Sequence, residues 1–224
     1  MAPSHVFKQS LDFAAPVTSV AREAQYNFYG ALTPRLVDSA ADFIIKRCAG
    51  DQPSIVESLS AFIAASTADE QASTHSCWFC IRLTHPTDEY VLPRWHNDGR
   101  MFDCSCAQKL PHSKYAVTLL GPPTRLLPTT TEIFNLVQRV VGSGSQHRAR
   151  VELAEALKGM QTVPLETGQM IRFSWGQEDS PIHSEPDSSD SDRVFVSILF
   201  GSEEEIRCMA NSRDEVYGTE KIYE

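Results

Sequence analysis

The chain has 224 residues, 42% hydrophobic and 22% charged, so it can bury a substantial core, and neither global disorder nor a fibrous repeat fits it. Its formal net charge of -9 arises from 29 acids against 20 bases, with no block of Lys and Arg able to track a phosphate backbone; nucleic acid is therefore not an expected partner. The opening stretch lacks a basic segment followed by an apolar run, and no later stretch approaches the roughly 20 apolar residues of a membrane span, so a cytoplasmic protein with no membrane partner is expected.

One domain over 1–224 is expected, its first part, 1–70, reading as helical. In "TPRLVDSAADFIIKRCAG", Thr33 can cap the first turn, Pro34 sits where a missing N–H costs nothing, and Gly50 can end the helix. Leu36, Val37, Ala40, Phe43 and Ile44 recur at helical spacing, and "SIVESLSAFIAAS" repeats the pattern with Ile55, Leu59, Phe62 and Ile63. From Ser76 onward, short β-prone runs dominate: "SCWFCIRL", "EYVLPRWH", "KYAVTLLG", "QMIRFSW", "SPIHS" and "RVFVSILFG". A helical insertion over 130–160, built from "TTEIFNLVQRVV" and "RARVELAEALKGM", interrupts a core spanning 76–201, and 202–224 is a C-terminal extension.

Strands with helices grouped to one side predict an α+β domain built on an antiparallel sandwich or small barrel. The last strand is expected to be central. It places Phe195 and Leu199 on one face and Val194, Val196, Ile198 and Phe200 on the other, apolar on both sides.

The chemistry concentrates in "PRWHNDGRMF". Side chains alternate along an extended chain, so Arg94, His96 and Asp98 share one side, and His96 and Asp98 can grip one ion together. A third ligand must come from another strand end, and His183 in "SPIHSEP" is the candidate. Two imidazoles and one carboxylate on one face of a metal leave adjacent positions open, an arrangement characteristic of non-haem Fe(II) oxygenases, although zinc accepts the same ligands. Arg193, ten residues beyond His183, offers a planar fork for a carboxylate, and Ser197 can add a hydrogen bond.

The set His96-x-Asp98, His183 and Arg193 resembles the Fe(II)/2-oxoglutarate-dependent dioxygenase superfamily, over roughly 89–201 and including "GQMIRF" and "KYAVTLLGPPT". The resemblance implies a double-stranded β-helix (jelly-roll) core, with N-terminal helices and the helical insertion packed against it. It implies Fe(II) held by His96, Asp98 and His183, with Arg193 and Ser197 binding 2-oxoglutarate. Such enzymes use O2 to couple decarboxylation of 2-oxoglutarate to hydroxylation, desaturation or cyclisation of a small-molecule substrate. Tyr115 and Thr118 follow the His-x-Asp hairpin, where further co-substrate contacts are expected; they point to opposite faces, so at most one lines the site. An arginine followed four residues later by serine departs from the closer Arg-x-Ser spacing of several members, and the strand also lacks the Arg-x-Asn pattern of the nucleic-acid demethylases.

Other readings stand beside this one. Cys77-x-x-Cys80 with Cys104-x-Cys106 has spacing compatible with a structural zinc, against which the odd separation of Cys77 and Cys80 directs them to opposite strand faces. A non-catalytic jelly-roll or zinc-stabilised binding module, or an iron oxidase that does not use 2-oxoglutarate, is compatible with the same residues. Arg94 and Arg100 flank the motif and can meet an anionic substrate, and His112 is the substitute ligand should His183 lie elsewhere. The acidic stretch over 177–192 reads as a solvated loop or as a lid. A monomer or homodimer is expected.

Overall fold

The computed structural model describes residues 5–10, 16–70, 76–98, 112–128, 130–141, 145–175 and 180–224. A seven-stranded antiparallel sheet dominates them, containing β1 (His5–Ser10), β3 (Ala24–Ala31), β5 (Ser76–Thr84), β6 (His112–Leu120), β8 (Gln169–Trp175), β10 (Arg193–Gly201) and β11 (Glu220–Tyr223). Its order is β1-β8-β6-β10-β5-β3-β11, which makes β10 the middle strand, flanked by β6 and β5. Its alternating apolar sets explain that position, because only a strand covered on both faces carries apolar residues on both.

One face of the sheet lies under two helices, α1 (Pro34–Ile45) and α2 (Gln52–Glu70). Tyr26 and Phe28 of β3, Phe79 and Ile81 of β5, Val117 of β6 and Val196 and Ile198 of β10 meet Leu36, Phe43, Leu59 and Phe62 there in one buried cluster. The opposite face is covered at one end by α5 (Glu203–Ser212), whose Ile206 and Met209 pack on Tyr29, Trp78 and Leu199. Ser202 and Glu205 form a capping box at the start of α5, and Glu205 also meets the buried His112 ring at 3.0 Å.

The other end of that face is covered by an irregular second layer. In it β7 (Arg125–Leu126) pairs with β9 (His183–Ser184), and the far edge of β9 exchanges two backbone hydrogen bonds with His96, of 2.9 and 2.8 Å. Val163 donates to Leu126 on the outer side of β7. Ala116, Leu126, Ile171 and Phe173 fill the space between the layers. Outside the second layer lie α3 (Thr131–Val141) and α4 (Gln146–Ala156), which bury Ile133, Val137 and Leu153 against Trp95, Leu127 and Ile182.

The fold is thus mixed α+β around a large antiparallel sheet. Its departures from the sequence reading are local. The segment over 1–70 is not purely helical: β1 and β3 extend the main sheet, while β2 (Val17–Val20) pairs with β4 (Cys48–Gly50). Gly50 therefore lies in a strand and α1 ends at Ile45; Thr33 occupies the N-cap position but its hydroxyl makes no capping bond. "EYVLPRWH" is a short 3-10 turn (Asp88–Tyr90) followed by coil and joins the second layer only at His96. In the C-terminal extension, β11 covers the edge of β3. Among the described residues no helix is long and apolar enough to cross a membrane.

Phe62 has no solvent exposure and sits between α2 and the sheet. Phe62→Ala is expected to destabilise the fold by about 3–5 kcal/mol, the range for an aromatic truncated in a packed core, measured as a lower midpoint in denaturant unfolding.

Candidate metal centre

The two ligand-bearing segments meet as an antiparallel pair centred on His96 opposite His183. Each imidazole has one nitrogen committed to a nearby carbonyl. His96 Nδ1 donates to Arg94 O at 2.7 Å, and His183 Nδ1 donates to Pro181 O at 3.0 Å. A carbonyl can only accept, so both rings carry the proton on Nδ1 and present the Nε2 lone pair inward. The rings are 4.3 Å apart between centroids, and Phe173 packs on His183 at 4.6 Å.

Those lone pairs face the Asp98 carboxylate. His96 Nε2 lies 3.9 Å from Asp98 Oδ1 and His183 Nε2 lies 3.7 Å from Asp98 Oδ2, with a ligand atom from each residue within 4.8 Å of the other two. Bonds of about 2.1 Å to one ion place adjacent donors roughly 3.0–3.4 Å apart, so closure on a metal takes side-chain shifts of about 1 Å. The donor set fits a divalent transition metal: two neutral nitrogens, one carboxylate, and rings oriented by hydrogen bonds at their far nitrogens.

Burial, reinforced by the neighbouring His183, pushes the His96 pKa down to about 4, and burial also lowers that of His183. Burial alone would raise the Asp98 pKa, but Lys114, His183 and His96 together hold it well below the usual carboxylate range. Near neutral pH the three groups are therefore in the protonation states that a metal requires.

The segments are also tied outside the cluster. Arg94 and Glu185 stand opposite each other two residues from the central histidine pair, and their side chains form a two-bonded ion pair. Ser184 Oγ accepts from Arg94 N at 2.9 Å, and Ser180 Oγ donates to Asp98 O at 3.3 Å. The Arg94 guanidinium, suggested by the sequence as a substrate contact, is thereby committed to Glu185.

Arg193 begins β10 on the face toward the second layer. It is buried, donates through Nε to Pro122 O at 3.1 Å and through Nη2 to Thr124 Oγ1 at 3.2 Å, and has no carboxylate partner among the described residues. Burial draws its pKa down to about 10. A buried guanidinium bonded only to neutral acceptors is costly and is offset by an anion. The supporting turn depends on Gly121, whose φ is +81° and where a Cβ would stand 2.2 Å from Asp192 O.

Beside Thr124 lies a shallow, closely packed crevice with no room for a water molecule as it stands, lined by Ala116, Thr118, Leu165, Gln169, Ile171 and Phe195 among others. Phe195 is also the residue under the Arg193 guanidinium, at 4.7 Å. Ile171 is the next inward position along β8 from Phe173, the ring against His183. Arg193 and the three candidate ligands are not among the residues that line the crevice.

The remaining residues singled out from sequence separate cleanly. Thr118 lines the crevice, whereas Tyr115 turns to the helical face and donates toward Asp69 and Glu70 at 2.9 Å, so it does not join the cluster. Ser197 is buried opposite Cys80 and Ala116, about 13 Å of strand from Arg193, while Phe195 fills the nearer same-face position. His112 pairs with Glu205 near α5. Cys77 and Cys80 fall on opposite faces of β5 in separate clusters, so they cannot share an ion. Arg100, Cys104 and Cys106 lie outside the described residues. So do 177–179 of the acidic stretch; its remainder is stitched down, with Ser188 bridged to Thr87 and Asp192 accepting from Val20 N at 2.7 Å.

Two participants escaped the sequence reading: Lys114, whose Nζ lies 2.8 Å from Asp98 Oδ2, and Glu185. Lysine in the otherwise apolar run "KYAVTLL", on the same face as Thr118, was the available signal for the first. No protein-family model matches the chain, and no curated protein matches it.

The lowered histidine pKa values set a pH dependence. Unfolded histidines bind protons near pH 6.5, whereas folded His96 does so only near 4, so the unfolded chain binds more protons in that window. Metal-free protein is expected to lose stability progressively as pH falls from about 6.5 toward 4, and His96→Gln is expected to flatten that slope in thermal unfolding measured across the range.

Proposed function

We propose that the protein is an Fe(II)- and 2-oxoglutarate-dependent oxygenase acting on a small molecule, with its site in the mouth of a jelly-roll core. The observation that carries this reading is the convergence of two imidazole Nε2 atoms and one carboxylate, together with a buried guanidinium that has no carboxylate partner among the described residues. The winding supports it too. From β5 onward the chain passes to the His96 segment, to β6, to β7, to the Val163 segment, to β8, to β9 and to β10, repeatedly crossing between the main sheet and the second layer.

His96, Asp98 and His183 would hold the iron, which when bound supplies the redox chemistry linking O2 and 2-oxoglutarate decarboxylation to substrate oxidation. The chain's own contribution is positional. Arg193 is matched to the far carboxylate of the co-substrate, fixed in direction by Pro122 O and Thr124 Oγ1. Ile171, Ala116 and Phe195 give the crevice apolar walls that exclude water along the co-substrate's methylene chain. The Nδ1 hydrogen bonds to Arg94 O and Pro181 O hold both rings in the ligating tautomer, so no proton must leave them when a metal binds. Substrate approaches from the open side of the cluster, and the reaction outcome, hydroxylation, desaturation or cyclisation, depends on which of its C–H bonds is presented there.

Anaerobic addition of Fe(II) and 2-oxoglutarate to metal-free protein is expected to give a visible charge-transfer band that is absent in His183→Ala. Arg193→Met is expected to weaken 2-oxoglutarate binding at least about 30-fold, the equivalent of about 2 kcal/mol for one half of a buried charged pair, while leaving metal affinity in place. An Arg193→Met protein that binds 2-oxoglutarate as tightly as wild type would remove the co-substrate anchor from the scheme.

A further inference from the structure

Asp98 contributes the only negative charge among the three candidate ligands, and that charge is already matched. Lys114 Nζ sits 2.8 Å from Asp98 Oδ2, with the two side chains only 13% and 14% exposed. Lys114 comes from β6, beside Leu199 of β10, and its ammonium lies 5.8 Å from the centre of the Trp78 ring. Its place is therefore set by the sheet and not by a flexible loop. Both imidazoles donate through Nδ1 to a backbone carbonyl and turn Nε2 toward Asp98. Asp98 is thus shared with an ammonium before any metal enters. A divalent ion adds two positive charges next to that ammonium, and both draw on the same carboxylate. Glu185, the nearest further acid on these segments, is engaged by Arg94.

We propose that Lys114, by holding Asp98 Oδ2, makes the centre a weak metal site on its own and couples metal retention to a dicarboxylate: with one carboxylate on Arg193, the other supplies the ion with negative charge that Asp98, shared with Lys114, supplies only in part. This rests on the oxygenase reading above and adds to it a regulatory property, in which metal and co-substrate each raise the other's affinity by the same factor. Lys114 acts through Asp98 and is a positioning residue. Its ammonium also keeps Oδ2 occupied, which favours a single Asp98 oxygen on the metal.

The test measures Mn(II) affinity of metal-free protein by calorimetry and by electron paramagnetic resonance, with and without saturating 2-oxoglutarate. Wild type, Lys114→Met, Lys114→Arg and His183→Ala are compared, with thermal unfolding to establish that each is folded. Lys114→Met is expected to bind Mn(II) alone at least tenfold more tightly than wild type and to gain less from 2-oxoglutarate, whereas Lys114→Arg, which keeps the charge, stays near wild type. Equal or weaker Mn(II) binding by folded Lys114→Met overturns the role of Lys114, as does a wild-type affinity indifferent to 2-oxoglutarate. Mn(II) binding that survives His183→Ala, or that no variant shows under any condition, instead overturns the metal centre itself.

Discussion

Everything at the candidate centre depends on a short antiparallel pairing, two backbone hydrogen bonds between His96 and His183. Residues equidistant from that pair stand opposite each other, so one register choice sets several interactions together: the histidines face each other, Arg94 faces Glu185, and Asp98 comes level with Pro181, whose carbonyl orients His183. A slip of one residue would turn every one of these side chains to the wrong side. The pairing is short and irregular, and it holds because layers on both sides hold it. Trp95 and Ile182 are buried beneath α3 and α4, while Phe173 on the main sheet meets the His183 ring from within.

Charges in this interior are unevenly matched: the acids near the cluster already have bases, and not every base has an acid among the described residues. Asp98 has Lys114 and Glu185 has Arg94. Arg193 is left with neutral partners among the described residues. A buried guanidinium is therefore built into the scaffold before any metal is considered, and it sits on the central strand, away from both edges of the sheet.

Much of this was legible in the sequence, for physical reasons that differ by element. β10 announced itself because both alternating sets are apolar, and α1 and α2 because their apolar residues recur at helical spacing. The sequence also put His96, Asp98 and His183 in one group, the first two because alternation places them on one side of an extended chain and the third through the resemblance that its spacing to Arg193 carries. The N-terminal strands were missed although "AQYNFYGA" alternates with buried Tyr26 and Phe28, because the strong helical pattern that follows coloured the whole first third. "EYVLPRWH" has strand composition but little strand pairing; Pro93 removes a donor and the second layer reaches only His96. Tyr115 and Thr118 were known to diverge, but which of them faced the site depended on the layer each side of the sheet would receive. Long-range partners such as Lys114 and Glu185 become visible only once register is fixed, a property of pairing that no local pattern carries.

The turn after β6 has a consequence for how variants of this protein would be interpreted. Gly121 touches no candidate ligand, yet its left-handed backbone brings Pro122 O and Thr124 Oγ1 to the Arg193 guanidinium, and any side chain there collides with the backbone of Asp192. Changes at this glycine would displace the acceptors that fix the Arg193 guanidinium while leaving the candidate metal ligands intact. In a mutational screen it would rank with the binding residues while carrying no functional group of its own.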